Sequence, residues 1–333
     1  MLEKYKDKFS VYLKGIGMGV ADVIPGVSGG TVALITGIYE RLINALNEID
    51  LAAFKLLFTF QLKKLFFKLN GPFLLAIMLG VFTAVLTFAK LIKFLLENYP
   101  ILLWGFFFGL IAASAWVVGK KIKSWSFNKF ALTILGTAIA YGITNSGIIE
   151  TEDSLLNIFF AGVLSIIAMV LPGISGSFIL VILDKYHTII AAVSSVSDLI
   201  KSSIQLLLGG SRVAFDAAIA DFQGMVILVF YAGTLSGIIG FSKVLHWLFN
   251  RFYDGTLAVL TGFLIGSLPK IWPWKETLTY YEDRKGNLKP LVEENVMPTT
   301  FELEVWLAFG LGIGGFLLVY FLELQSDKLA QKK

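Results

Sequence analysis

Long apolar stretches separated by short polar joints run through most of this chain. Three follow one another at roughly Pro72 to Leu96, Ile101 to Val118 and Phe130 to Ile148, and three more lie near Gly224 to Phe249, Thr256 to Leu268 and Phe301 to Leu322. They are long enough to cross a hydrocarbon core of about 30 Å as helices and lack the alternation of a transmembrane β-strand. The pattern predicts an all-α polytopic membrane protein.

Shorter pieces precede each triplet. The N-terminal stretch as far as Val23 mixes Lys4, Lys6, Lys8 and Lys14 with apolar positions, which predicts a segment that starts amphipathic at the surface and then enters the membrane. Thr31 to Leu46, ended by Asn44, Asn47 and Asp50, is too short to span alone. Between them, Pro25 removes a backbone donor and Gly26 removes a side chain, so the helix breaks there and a re-entrant hairpin over about 5–46 follows. Leu51 to Leu69 sets Lys55, Lys63, Lys64 and Lys68 among Phe and Leu, the pattern of an interfacial helix on an anionic leaflet.

The order then repeats. Ala21-Asp22-Val23-Ile24-Pro25-Gly26-Val27-Ser28-Gly29-Gly30 returns 147 residues later as Ala168-Met169-Val170-Leu171-Pro172-Gly173-Ile174-Ser175-Gly176-Ser177. Phe88-Ala89-Lys90 recurs as Phe241-Ser242-Lys243, and Gly105 and Gly109 recur as Gly262 and Gly266. Two repeats are therefore expected, 1–150 and 151–333. The second has its own re-entrant hairpin over about 154–194 and a polar connection near Ser194 to Phe222. Three spans per half is an odd number and a hairpin returns to the side it entered, so the repeats should have inverted topology, as in many transporters.

Charge tests that topology. The loops assigned inside hold Lys120, Lys121, Lys123 and Lys129, together with the N-terminal and 55–68 clusters and Lys328, Lys332 and Lys333. Glu97 to Pro100 and Asn145 to Asn157, assigned outside, hold neither Lys nor Arg, which predicts cytoplasmic termini. A long outside loop over about 270–300 carries five basic residues accompanied by acidic ones. Trp272 and Trp274 before it suit an interfacial belt, and the segments flanking Asp283-Arg284-Lys285-Gly286-Asn287 read as a small hairpin. Composition agrees: 56% of the 333 residues are hydrophobic and 16% charged, more apolar than a soluble domain could cover. There is no cysteine, hence no disulfide or thiolate metal site, and no removable signal peptide is evident.

The twin breaks carry the candidate chemistry. Backbone groups freed at membrane depth are tolerated only where protein or a watery cavity satisfies them. Ser28-Gly29-Gly30-Thr31, after Gly26, and Ser175-Gly176-Ser177, after Gly173, open the next half-helices with free N–H groups and hydroxyls at a positive dipole end, a ready anion site. Close helix packing by small residues is the plain alternative. Asp22, which has Met169 as its counterpart, is an intramembrane carboxylate suited to proton or sodium coupling or to capping the broken helix. Lys90 and Lys243 fall at equivalent places, one toward each membrane face, where they would meet an anionic headgroup or snorkel to lipid phosphates. Arg41 suits anionic lipid binding or orientation. Asp184 and Lys185 read as a local pair, and His187 and His246 as polar interface residues with no ligand spacing for a metal. Gly26-Val27-Ser28-Gly29 also matches the nucleophile motif of rhomboid-type proteases, but a serine nucleophile needs a base and neither histidine lies in a suitable pattern.

At Asp22 through Tyr39, with Pro-Gly-Val-Ser-Gly-Gly-Thr and Gly37-Ile38-Tyr39, and at Leu171 through Tyr186, with Pro-Gly-Ile-Ser-Gly-Ser, the chain resembles the polyprenyl phosphate transporter family, the undecaprenyl phosphate translocases. The second copy departs at Asp184, where the pattern carries Gly. The resemblance implies a multi-pass protein of the bacterial plasma membrane, a flippase that returns undecaprenyl phosphate from the outer to the inner leaflet for reuse in cell wall synthesis. It implies no catalysis, no metal, no cofactor beyond a coupling ion, and no nucleic acid partner. Its partners would be the polyprenyl phosphate and anionic membrane lipids. A transporter or channel for a small soluble anion is the competing reading, and an intramembrane serine hydrolase a third.

Overall fold

The computed structural model describes the backbone of residues 2–24, 27–149, 151–209, 211–282, 288–300 and 302–330, and side chains over most of that range. Helices dominate it: α1 (Leu2–Val23), α2 (Gly29–Ile35), α3 (Tyr39–Asn47), α4 (Leu51–Phe58), α5 (Leu62–Lys68), α6 (Gly71–Asn98), α7 (Pro100–Lys120) and α8 (Phe127–Thr144) make the first half. The second half holds α9 (Leu155–Val170), α10 (Gly176–Ile182), α11 (Tyr186–Leu207), α12 (Arg212–Ala220), α13 (Gly224–Arg251), α14 (Tyr253–Ser267) and α15 (Leu303–Ala330). A 3-10 turn (Leu268–Ile271) and an antiparallel hairpin of β1 (Lys275–Glu282) and β2 (Leu288–Asn295), with a register shift between Thr277 and Thr279, precede α15. The hairpin is the one the 270–300 loop predicts.

Five described helices are long and apolar enough to cross a membrane: α6, α7, α11, α13 and the Leu303–Leu324 part of α15. This membrane protein departs from the expected spans in three places, the first being α8, which ends at Thr144 instead of Ile148 and is not one of the five. The stretch from Ser194, expected as a polar connection, continues α11 without a break to Leu207, because its serines hydrogen-bond to carbonyls of their own helix (Ser202 to Leu199, 3.0 Å; Ser203 to Leu199, 2.6 Å) instead of ending it. The expected span near Thr256 to Leu268 is only 15 residues as α14, roughly 22 Å at 1.5 Å per residue. The expected interfacial helix is also two pieces, α4 and α5. Phe60 turns left-handed between them (φ 54°) while Gln61 N–H closes on Leu56 O at 2.9 Å, a Schellman stop.

Several contacts recur at equivalent positions of the two halves. Around the two breaks α9, α10 and α11 copy α1, α2 and α3 with the 147-residue shift of the motif: the helix before each break ends at Val23 and Val170, and the next begins at Gly29 and Gly176. Both short helices end in the same Schellman geometry, with Ile38 N–H on Ala33 O (2.9 Å) in one and Lys185 N–H on Leu180 O (2.8 Å) in the other. The left-handed residue is Gly37 (φ 73°) in the first and Asp184 (φ 56°) in the second. The departure at Asp184 thus keeps the turn, since aspartate tolerates this conformation better than most residues. A Cβ at Gly37 would meet nothing within 4 Å, so Gly37→Ala should cost only the conformational penalty of about 1–2 kcal/mol, and Gly37→Asn clearly less, in thermal unfolding of the detergent-solubilised protein.

Two compact units are present: residues 1–147, 169–175 and 242–333 in one, and 148–168 and 176–241 in the other. In the first, α1 packs on α6 so closely that a Cβ at Gly15 would lie 2.6 Å from Ile77 O and one at Gly80 2.3 Å from Tyr12 O. In the second, α9 packs on α13 in the same way: Gly162 would meet Phe230 O at 2.3 Å and Gly233 would meet Phe159 O at 2.1 Å. These four glycines are repeat equivalents, as are the four carbonyls they face. The first unit also holds a crossed pairing. α7 packs on α15, with Gly109 against Gly312 O, and α14 packs on α8, with Gly262 against Thr133 O. The second span of each half therefore rests on the third span of the other.

In the second unit Ile158, Ala161, Leu180 and Ile189 form a buried cluster, with Val226, Val229 and Phe230 against it. Lys185 does not pair with its neighbour Asp184, as the sequence suggests. Its ammonium is buried, lies 2.7 Å from Asp153 Oδ1 and donates to Thr151 O, because the left-handed turn occupies Asp184 and directs Lys185 back to the start of α9.

Candidate functional site

The site grows from the two breaks. Ser28 sits in extended conformation (φ −119°, ψ 134°) as the N-cap of α2, and its Oγ accepts from Gly30 N–H at 3.1 Å. The same hydroxyl lies 3.2 Å from both Met169 O and Leu171 O, the carbonyls that the second break frees. Thr31, one residue into the same turn, accepts from Gly173 N–H at 3.0 Å. Tyr39 Oη donates to Val170 O at 3.1 Å and packs edge-on to Phe249. Ser28, Thr31 and Tyr39 are all at most 1% exposed. In the interior of a membrane protein these bonds meet groups that lipid cannot satisfy. Side chains after the first break thus satisfy the backbone that the second break leaves free.

Asp22 completes the arrangement. Its Oδ1 accepts from Gly29 N–H at 2.7 Å, while its side chain stays exposed on its other side. Three donors open α2, and all are met within the chain: Gly29 by the carboxylate, Gly30 by the Ser28 hydroxyl and Thr31 by Ser28 O at 3.0 Å. The anion-accepting end of this two-turn helix already holds an anion. Space is tight here, because a Cβ at Gly29 would lie 2.6 Å from Asp22 Oδ2 and one at Gly30 2.6 Å from Val170 O. Gly173, left-handed at φ 86°, leaves no room beside Ser267.

The remaining expected residues fall elsewhere. Gly26 lies outside the described residues. Ser175 is half-buried at the end of the second break; Gly176 is buried and Ser177 exposed where α10 opens in the second unit, and Ser165 Oγ holds Gly176 O at 2.9 Å. Lys90 and Lys243 are exposed at matching positions of α6 and α13, each nineteen residues after the helix's first residue. Arg41 lines a separate cavity of about 550 Å³ with Glu40, Asn44, Glu48, Lys121 and Tyr253. It stacks over Phe73 at 4.2 Å and pairs with Asp7 at 3.1 Å, while Glu40 accepts from Tyr253 Oη at 2.9 Å. His246 joins Asn44 and Asn250 (2.7 and 2.8 Å) as an interface residue. Two participants have no role in the reading of the motifs: Tyr39, which closes the first motif as Tyr186 closes the second, and Ser267 behind Gly173.

Ser28 Oγ is engaged by two carbonyls and a backbone N–H, an arrangement that holds a hydroxyl in place and does not activate it as a nucleophile. Comparison with known proteins agrees with that chemistry. Residues 18–289 match the family described as VCA0040-like, undecaprenyl phosphate translocase-like. The chain is 38% identical over 334 residues to the polyprenyl-phosphate transporter of Vibrio cholerae serotype O1, covering 98% of this chain and 100% of that protein. It is 32% identical over 277 residues to the polyprenyl-phosphate transporter of Staphylococcus aureus, covering 78% and 85% of the two. No solved structure matches. Similar along nearly its whole length to these proteins, and matched by the family over both breaks, the chain belongs to the undecaprenyl phosphate translocase-like family.

Proposed function

We propose that the chain carries polyprenyl phosphate from the outer to the inner leaflet of the bacterial plasma membrane, recycling a lipid carrier. The observation that carries this reading is the meeting of the two breaks, where Ser28 and Thr31 of one repeat bond the backbone of 169–173 in the other. A phosphate headgroup is strongly penalised at the bilayer centre while its prenyl tail is at home there. The protein need only replace the water around the head. Gly26, Ser28, Gly29, Gly30 and Thr31, with Gly173, Ser175, Gly176 and Ser177, are the groups assigned that task. Lys90, Lys243 and Arg41 would draw the anion in from the membrane faces, with both termini cytoplasmic.

The duplicated contacts support two repeats, 1–150 and 151–333, working as an inverted pair that exposes one midplane site alternately to each leaflet. Asp22 gives this cycle a coupling step. Its carboxylate and the arriving phosphate compete for the same Gly29 N–H, and two anions cannot share it. Loading therefore requires the carboxylate to be neutralised by a proton, or drawn aside by a sodium ion, as the headgroup binds.

The test is flipping of a fluorescent polyprenyl phosphate by purified protein in liposomes. Ser28→Ala together with Ser175→Ala should slow it by an order of magnitude or more while thermal stability falls by a few kcal/mol, since the Ser28 hydroxyl makes three hydrogen bonds and each lost bond costs about 0.5–1.5 kcal/mol. Unchanged flipping in the double variant would remove this site from the mechanism. Absence of flipping by the wild type under every ion gradient would remove the function, and a chloride or carboxylate flux in its place would favour a small soluble anion.

A further inference from the structure

The cavity of about 550 Å³ that holds Arg41 lies within the first unit, between α2, α3, the joint before α6, the end of α7 and the start of α14. Tyr39, whose Oη donates to Val170 O at 3.1 Å, also lines it, so the cavity begins where the two breaks meet. Cavities of this size match those that hold small ligands.

Its acids already have donors, whereas its cations lack acceptors. Glu40 accepts from Tyr253 Oη at 2.9 Å, and Glu48 is held by Lys68 at 2.6 Å. Arg41 reaches Asp7 through Nη1 alone, so among the described residues its Nη2 and Nε meet no acceptor. Lys121 pairs with no carboxylate among the described residues, and the side chain of Asn70 makes no cap to α6. Lys14 adds a third positive charge: its ammonium donates to Thr36 O at 2.7 Å and feels Asp7, Arg41 and Lys121 together. Three cations thus stand close, with Asp7 as counter-ion to two of them. Like charges gathered in this way repel, and a bound anion offsets that cost. The repeat does not require them, because the 147-residue shift puts Thr188 where Arg41 stands and Ala161 where Lys14 stands.

We propose that this cavity binds a phosphate group, with Arg41, Lys121 and Asn70 donating to its oxygens and Lys14 adding charge behind them. The assignment rests on the function proposed above and deepens it, giving the transport cycle a second phosphate site beside the breaks, on the face that the loop charges assign to the cytoplasm. A guanidinium with two unused donors and an ammonium without a counter-ion suit a multiply charged phosphate, which offers several oxygens to charge-assisted bonds. Because the cations belong to one copy of the repeat, the site gives the pair a polarity that the shared Pro-Gly motif lacks. A headgroup released from the breaks toward this face would meet cations, and one released the other way would not meet their counterparts.

The test uses the full-length protein in a nonionic detergent. The chain has no cysteine, so Asn44→Cys puts a single thiol in the cavity wall. A negatively charged thiosulfonate reagent should modify it several-fold faster than a positively charged one, and farnesyl phosphate should protect it while farnesol, which lacks the phosphate, should not. Inorganic phosphate separates the two sources of the group: protection at the concentration that farnesyl phosphate needs assigns the site to free phosphate, and protection by farnesyl phosphate alone assigns it to a lipid headgroup. In the same background Lys121→Ala, which breaks no ion pair, should raise the protecting concentration about tenfold, the effect of one charged hydrogen bond. Gly37 lines the cavity, and a Cβ there would meet nothing within 4 Å. Gly37→Asp keeps the left-handed turn as Asp184 does in the second repeat but adds a carboxylate to the wall, so it should weaken protection about tenfold, and Gly37→Asn far less. Faster reaction with the positive reagent, equal protection by farnesol, or protection that neither Lys121→Ala nor Gly37→Asp reduces overturns the proposal. If the wild type flips polyprenyl phosphate while no phosphate compound protects the thiol, the cavity assignment falls and the transport function stands. If the thiol is protected but the wild type does not flip the lipid under any ion gradient, the cavity stands as a phosphate site and the transport function falls.

Discussion

Gly109→Val should prevent α7 and α15 from packing and leave little folded protein, whereas Gly310→Val on the same α15 should be nearly silent. A Cβ at Gly109 would lie 1.8 Å from Gly312 O, and real Cβ atoms essentially never come within 3.0 Å of another heavy atom. The obstacle is backbone, so no rotamer change relieves it. The helices must part by more than 1 Å along a glycine-to-glycine seam, and overpacking that side chains can absorb already costs about 1–3 kcal/mol. Parting them would also pull Gly105 away from Ala308 and Gly315 from Phe106, so the loss should exceed that range. Gly310, by contrast, faces open space within 4 Å. Fluorescence-detected size exclusion of tagged variants gives the readout. A monodisperse Gly109→Val protein with wild-type melting temperature would mean that the α7–α15 seam is not what holds this unit together.

Asp22→Asn should keep the fold and abolish the response of transport to an ion gradient, with flipping at least tenfold slower under a gradient that drives the wild type. The amide retains an oxygen for Gly29 N–H, so the start of α2 stays capped, and the stability change should be within about 1 kcal/mol. What it loses is charge, the property that makes headgroup and carboxylate exclude each other. Asp22→Ala loses cap and charge together and should be both slow and less stable by about 1 kcal/mol. The pair of variants separates two roles the sequence leaves open. If Asn restores full, gradient-dependent flipping and Ala does not, Asp22 is a cap and coupling lies elsewhere. Flipping assays in liposomes with imposed proton or sodium gradients, beside thermal unfolding of each variant, decide between them.

Much of this architecture is legible in the sequence because its signals are strong and local. Pro172-Gly173 stops α9, runs of apolar residues mark α6, α7 and α13, and alternating residues around a charged Gly-containing turn mark the β-hairpin. The twin motif also brings Ser28, Thr31 and Gly173 into view, although only the structure joins them by hydrogen bonds. What the sequence hides depends on tertiary bonds or on backbone choices that residue type permits without requiring. Nothing in Ser194 to Leu207 announces that its serines will bond back within α11. Asp184 looks like a partner for Lys185 until the left-handed turn turns Lys185 toward Asp153, thirty-two residues earlier. Tyr39 stands at the end of the first motif with nothing to name its partner, and its bond to Val170 O spans 131 residues. The crossed pairing of spans cannot be read from motifs at all.

That crossing bears on how the chain is made. α7 is the most enclosed of the five candidate spans, yet the helix that covers its glycine face, α15, is the last to be synthesised. α8 likewise waits for α14. The first half therefore leaves the ribosome with two spans whose small-residue seams have no mate, and insertion machinery or lipid must occupy them until the C-terminus arrives. Premature termination before Leu303 would strand α7 in that condition, and termination before Tyr253 would strand α8 as well, which makes a truncated product a natural target for membrane quality-control proteases.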